Sequence, residues 1–210
     1  MSEHSKFILN YLGCDTIIFE NETDGAKIIT CWDQLFAEGK AAGFSPLIII
    51  PSDILAEALA LNLEDEEKEN TPEDIQKLRL DIIKEAEKVD VETFLSERFK
   101  EYEQMHEDMD IMGKFKPCEP YHALSCHMNR NQPYEEILIA KIPTVNPWEL
   151  AAWVPMGGFN DCPAPAEQVA VFHYWYEKYQ AVPASVTYDN WELKLKKPPL
   201  SLADAEQLAK

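Results

Sequence analysis

The chain has no apolar run approaching the roughly 20 residues that a membrane-spanning helix requires. Its first residues, Met1-Ser2-Glu3-His4-Ser5-Lys6, lack the basic-then-apolar build of a secretory signal. Cysteine is scarce: Cys14, Cys31, Cys118, Cys126 and Cys162 are scattered along 210 residues. That is too sparse for a disulfide scaffold, and the odd count leaves at least one thiol free. The expected setting is the cytoplasm, with reduced thiols. Basic side chains are also few, 19 against 38 acidic ones, for a formal charge of −19. A surface of that sign repels phosphate backbones and anionic headgroups, so nucleic acid and membrane are excluded as partners. It draws a basic protein, a cationic ligand or a metal ion, and acidic solubility alone accounts for the same charge equally well.

What is present suffices for a globular core, with 46% hydrophobic residues. Thr16-Ile17-Ile18-Phe19 reads as a strand. Ile28, Trp32, Leu35 and Phe36 then recur at helical spacing up to Gly43, which suits a C-terminal stop. Leu47-Ile48-Ile49-Ile50, bracketed by Pro46 and Pro51, has the β-branched character of a buried strand. The implied unit is strand, helix, strand, after which Ser52 caps a further helix.

Beyond Leu63 the composition changes. Residues 64–110 hold 18 acidic and 7 basic side chains, so −11 of the −19 sits in this stretch. Thr71-Pro72-Glu73-Asp74 has the form of a helix start, with Thr71 as cap, Pro72 in the first position and Asp74 closing a capping box. One stripe runs Ile75, Leu78, Ile82, Ala86, Val89. A second runs Phe94, Leu95, Arg98, Phe99, Tyr102, Met105, Met109. This predicts one long helix, or two broken near Asp90, packed by one stripe and otherwise in solvent.

Residues 113–134, with Pro117, Pro120 and Pro133, read as a connection. Glu136–Ile142 returns to strand character, and Asn146-Pro147-Trp148-Glu149 to a cap and the first turn of a short helix. After a glycine loop comes a helix of about 15 residues with Val169, Phe172, Tyr176 and Tyr179 on one face. Two strands meeting at Asp189-Asn190 follow as a hairpin, and Ser201 caps a last helix. That helix reaches Lys210 without a stop signal, from which a longer natural chain or a frayed end is expected.

The pieces Ile142-Pro143, Asn146-Pro147-Trp148-Glu149, Gly157-Gly158-Phe159-Asn160-Asp161-Cys162-Pro163, Trp175-Tyr176, Asp189, Glu192-Leu193 and Pro198-Pro199 together resemble a bacterial family catalogued as domain of unknown function 4253. The resemblance spans roughly residues 135–210 and brings no established chemistry. It implies an aromatic-rich C-terminal continuation that this chain lacks, so the family-like core is expected to be cut short. The acidic stretch 64–110 departs from the family.

Several residue groups carry possible chemistry. Gly157 and Gly158 can take positive φ, and Asn160, Asp161 and Cys162 then lead into a helix whose first amides lack intrahelical partners, a place for a polar ligand. The same residues also describe a capped helix entry, with Asn160 or Asp161 as cap and Pro163 in the first turn, and this is the preferred reading. Cys162 at a helix start is the best-placed thiol for reactivity, although a buried, inert cysteine is the preferred reading. His173, eleven residues on, is about 16 Å away along a helix and too far to serve as its base. Asp189 and Glu192 are a candidate acid–base pair if a turn brings them together, although strand alternation places them on opposite faces. Cys118, His122, Cys126 and His127 are enough donors for a zinc site, but their spacing matches no knuckle, and no metal or other cofactor is expected. The aromatics Trp148, Trp153, Tyr174, Trp175, Tyr176, Tyr179 and Trp191 read as packing.

The sequence thus points to a single α/β domain with a mixed sheet flanked by helices and an acidic helical insertion. The leading functional expectation is a non-enzymatic acidic protein-binding module, with a basic partner such as a toxin that it neutralises. The alternatives are a small-molecule hydrolase or transferase at the Gly157–Cys162 loop, completed by Asp189 and Glu192, and a zinc-stabilised structural domain.

Overall fold

The computed structural model of the chain describes residues 1–63, 71–107, 124, 134–158 and 162–209. Its centre is a five-stranded mixed sheet, in the order β1 (Thr16–Glu20), β3 (Glu136–Ile142), β2 (Ser45–Ile49), β4 (Ala181–Val186), β5 (Trp191–Leu195). β3 is antiparallel to both neighbours, so β1 and β2 run the same way with β3 between them. The expected strand–helix–strand unit is therefore present but split by a strand from much later in the chain. β2 pairs with β4 in parallel, and β5 closes the edge as the second arm of an antiparallel hairpin.

Prolines sit where a ladder tolerates a missing N–H. Pro46 lies inside β2, not before it, at a position preceding the parallel pairing with β4, and its carbonyl accepts from the Trp32 indole at 3.0 Å. Pro183 falls at a register shift in the β4–β5 hairpin.

Alternation along the strands gives the sheet two apolar faces. On one face, Leu47, Ile49, Leu138, Ala140, Ile142 and Val186 meet α1 (Glu3–Leu12), α3 (Asp53–Leu61) and α6 (Leu150–Trp153), the last preceded by a 3-10 turn at Pro147–Glu149. On the other, Ile48, Ile50, Ile137, Ile139, Val182 and Ala184 meet Ile28, Trp32 and Leu35 of α2 (Gly25–Ala42). A third cluster joins α6 and α7 (Pro165–Tyr179) to α4 (Pro72–Ala86) through Ala151, Ala152, Val169, Phe172, Ile82 and Ala86. The acidic elaboration is thereby seated on the helical layer and not on the sheet.

Most caps are those expected. Ser52 accepts from Leu55 N, and Thr71 and Asp74 form a reciprocal box around Pro72. Asp90 caps α5 (Val91–Met105), which makes the acidic stretch two helices in place of one. Ser201 opens α8 (Leu202–Ala209) by accepting from Asp204 N. α1 is an element that the sequence reading passed over. Ser2 caps it, Gly13 stops it at φ 62°, and Ile8, Tyr11 and Leu12 form its buried face.

Glu136, at the start of β3, fastens α1 to the sheet by accepting from Ser2 N at 2.8 Å, from Ser2 Oγ at 2.6 Å and from Ser5 Oγ. Burial alone would raise the pKa of this carboxyl, but those bonds and the chain-terminal amine outweigh it and hold the carboxyl down at about 2. Among the described residues no helix is long and apolar enough to cross a membrane, and Cys14, Cys31 and Cys162 are free thiols.

Candidate functional site

The glycine loop leaves α6 at Val154, turns at Gly157 (φ 98°) and Gly158 (φ 76°), and returns at Cys162 and Pro163. Gly158 N donates to the carbonyls of Cys162 and Pro163, both at 3.2 Å, and so closes the loop on itself. A side chain at Gly157 would run into Pro163 O, Gln168 Nε2 and Cys162 Sγ, so both conformation and space require glycine there.

Gln168, in the first turns of α7 and 6% exposed, secures the loop. Its Nε2 donates to Met156 O at 2.5 Å and to Pro163 O at 2.8 Å, tying the outgoing and returning strands of the loop together. Its Oε1 accepts from Trp191 Nε1 at 2.9 Å, which anchors the assembly to β5. Both N–H donors and the carbonyl oxygen of this buried amide are engaged. The sequence reading missed Gln168, because a glutamine early in a helix ordinarily reads as a solvated position.

The helix after the loop starts later than expected. Ala164 is the N-cap, Pro165 the first helical residue, and Glu167 Oε2 accepts from Ala164 N at 2.7 Å. Asn160, Asp161 and Pro163 therefore do not supply its cap and first turn. Pro165 and Glu167 do, since they fit the proline and box positions that Pro163 only approximates. Asn160 and Asp161 themselves lie outside the described residues. Cys162 consequently stands before the helix and not in its first turn. Burial pushes its thiol pKa up, with the Arg98 charge a smaller opposing influence. Among the described residues the only polar partner of its sulfur is Gln168 Nε2 at 4.0 Å.

The described partners of the two carboxylates lie outside the glycine loop. Asp189 is exposed in the β4–β5 turn, where its carboxylate accepts from Thr187 Oγ1 at 2.8 Å and from Asn190 Nδ2 at 3.3 Å. On β5, Trp191 and Leu193 face α7, whereas Lys194 reaches Asp33 on α2 at 2.6 Å and lies over the Trp32 ring. Alternation sends Glu192 to that same α2 face, where it accepts from Ser185 Oγ at 3.1 Å. The sheet lies between it and Gln168. His173 is half-exposed on α7, stacked on Trp148. The proposed zinc donors Cys118, His122, Cys126 and His127 lie outside the described residues.

A second unusual cluster surrounds Arg79 on α4, which is 6% exposed. Its Nη2 donates to Tyr11 O at 2.7 Å, at the C-terminal end of α1, where the helix dipole favours a cation. Its guanidinium lies 3.7 Å from the centre of the Trp153 ring. No carboxylate among the described residues pairs with it, and both Arg79 Nε and the Tyr11 hydroxyl are buried without a hydrogen-bond partner. Burial lowers the Arg79 pKa and pushes that of Tyr11 up to about 12. Sequence reading placed Arg79 on a solvated helix face, and no sequence signal distinguishes it from the lysines around it.

The outer side of the acidic helices contrasts with this. Glu73, Asp81, Glu85 and Glu87 on and just after α4, and Glu92, Glu97, Glu101, Glu103 and Glu107 on and just after α5, are exposed. The exposed bases among them are Lys77, Lys84, Lys88 and Lys100. Tyr102 and Met105 lie among the acids at 49% and 66% exposure.

Residues 138–210 match the family described as Domain of unknown function (DUF4253), the segment that contains β3, the glycine loop, α7 and the β4–β5 hairpin. No curated protein and no solved structure matches the chain.

Proposed function

We propose that this protein is a non-enzymatic acidic binding module whose partner is a basic protein, such as a toxin that it neutralises. The observation that carries the reading is the exposed acidic surface of α4 and α5. It is richer in carboxylates than in lysines, and it is attached to the helical layer with its outer side turned to solvent. Such a surface steers a cationic partner and accelerates encounter, and apolar residues within it then supply area that charge alone does not.

The chemistry of the glycine loop favours the same reading. A half-buried thiol whose pKa burial raises, and whose sulfur meets only the Gln168 amide among the described residues, is a poor nucleophile. The loop's glycines and Gln168 are accounted for by the bend they hold.

The test is a pull-down with immobilised protein at low and high salt, followed by rebinding of any recovered protein in purified form. The expected partner is basic and its affinity falls steeply as ionic strength rises. Absence of any salt-sensitive basic partner, while neutral proteins bind, contradicts the reading.

A further inference from the structure

The α5 helix divides into a stripe and two edges. At 100° per residue, Val91, Phe94, Leu95, Phe99, Tyr102 and Met105 fall along one side. Glu97 and Glu101 line one edge of that stripe, and Glu92 and Glu103 the other. No residue of α5 is buried; the N-terminal part of the stripe is half-covered, while Tyr102 and Met105 at its C-terminal end are open. Arg98 lies within the stripe, with its guanidinium 3.5 Å from Glu101 and over the Phe94 ring. Glu92 lies 4.0 Å from Lys178, whereas Glu97 and Glu103 have no ion-pair partner among the described residues. The C-terminal end of α5 adds the negative pole of its own helix dipole near Met105.

An apolar stripe with glutamates on both edges is the charge complement of a helix with an apolar stripe and lysine or arginine on both edges. We infer that the C-terminal half of α5 docks a basic amphipathic helix, with Tyr102 and Met105 seating its apolar side and Glu97, Glu101 and Glu103 pairing with its flanking cations. This rests on the acidic-module reading and names the partner's chemistry. A second copy of this chain is disfavoured as occupant, because two molecules of charge −19 would bring glutamate edges against each other.

The experiment uses two synthetic lysine–leucine peptides of roughly 18 residues, long enough to match α5. They have identical composition, one patterned as an amphipathic helix and one scrambled to remove the stripe. Each is titrated by fluorescence anisotropy, at low salt, against the full chain, against the double variant Tyr102→Ser/Met105→Ser, and against Glu97→Gln/Glu103→Gln. The altered residues are exposed, and circular dichroism verifies that each variant is folded. The patterned peptide is expected to bind at least about tenfold more tightly than the scrambled one, and to lose that advantage in the double serine variant. The glutamine variant weakens both peptides. Equal binding of the two peptides, unchanged by the serine substitutions, overturns the α5 site but leaves the acidic module standing. Failure of both peptides to bind overturns the acidic module as well. A concentration-dependent dimer that the serine substitutions dissolve overturns the heterologous partner in favour of a second copy.

Discussion

The glycine loop and the acidic helices solve opposite problems. At the loop, one buried amide satisfies two carbonyls and an indole, and two glycines take the φ angles the bend needs, so the polar groups around Gln168 are matched. At the acidic helices, the buried Arg79 of α4 and the Tyr11 hydroxyl of α1 beside it are left partly unmatched, while carboxylates crowd the outer side. The described polar groups of the loop are used in holding its bend. A surface with more carboxylates than cations keeps an excess of charge that a cationic partner would meet. The proposed function accordingly places recognition on the acidic helices, outside the segment 138–210 that matches the family.

The largest break in that comparison comes from Gly157. Gly157→Ala should cost at least about 3 kcal/mol in urea unfolding, since positive φ and a collision with the Pro163 carbonyl act together. Gly158→Ala, with positive φ but no neighbour closer than 3.9 Å among the described residues, should cost about 1 kcal/mol. Equal costs would mean that the loop is not closed as described.

Gln168→Leu removes the side-chain donor of Met156 O and the acceptor of Trp191 Nε1 and leaves Pro163 O with Gly158 N alone, and should cost about 3 kcal/mol by the same measurement. A neutral result would remove Gln168 from its role.

Glu136 gives a pH signature. Its carboxyl titrates lower in the folded chain than the ordinary 4.5, so it contributes stability above about pH 4.5, and that contribution is lost as pH falls toward about 2. Glu136→Gln should remove on the order of 2 kcal/mol at neutral pH and nearly nothing at the acid end. A pH-independent difference would mean that the carboxylate's charge is not what holds α1.

Arg79→Met should change stability least, within about 1 kcal/mol, because the lost bonds to the end of α1 are offset by removing an unpaired buried cation. A loss as large as that of Gln168→Leu would show Arg79 to be as fully matched as the loop amide.

Much of this was legible in residue patterns. Local chemistry marked the box at Thr71-Pro72-Asp74, the break at Asp90, the hairpin at Asp189-Asn190 and the strands around Ile48 and Ile139, because caps, turns and β-branched runs act over a few residues. The order of strands was not legible, since the insertion of β3 between β1 and β2 depends on pairings more than 80 residues apart in sequence. α1 was hidden because an N-terminal Ser2-Glu3 start was weighed only as a targeting signal. Two prolines two residues apart, Pro163 and Pro165, competed for the start of α7, and the capping glutamate at Glu167 decides for the second. The tasks of Gln168 and Arg79 come from neighbours that only the tertiary fold supplies.

The central claim is that recognition resides on the acidic helices and not at the loop. The direct measurement is the affinity of a basic protein partner, at low salt, for two variants: Glu97→Gln/Glu101→Gln/Glu103→Gln/Glu107→Gln and Cys162→Ser. The account predicts a loss of at least about tenfold in the first and no change in the second. Full binding by the first, with binding abolished in the second, would contradict it.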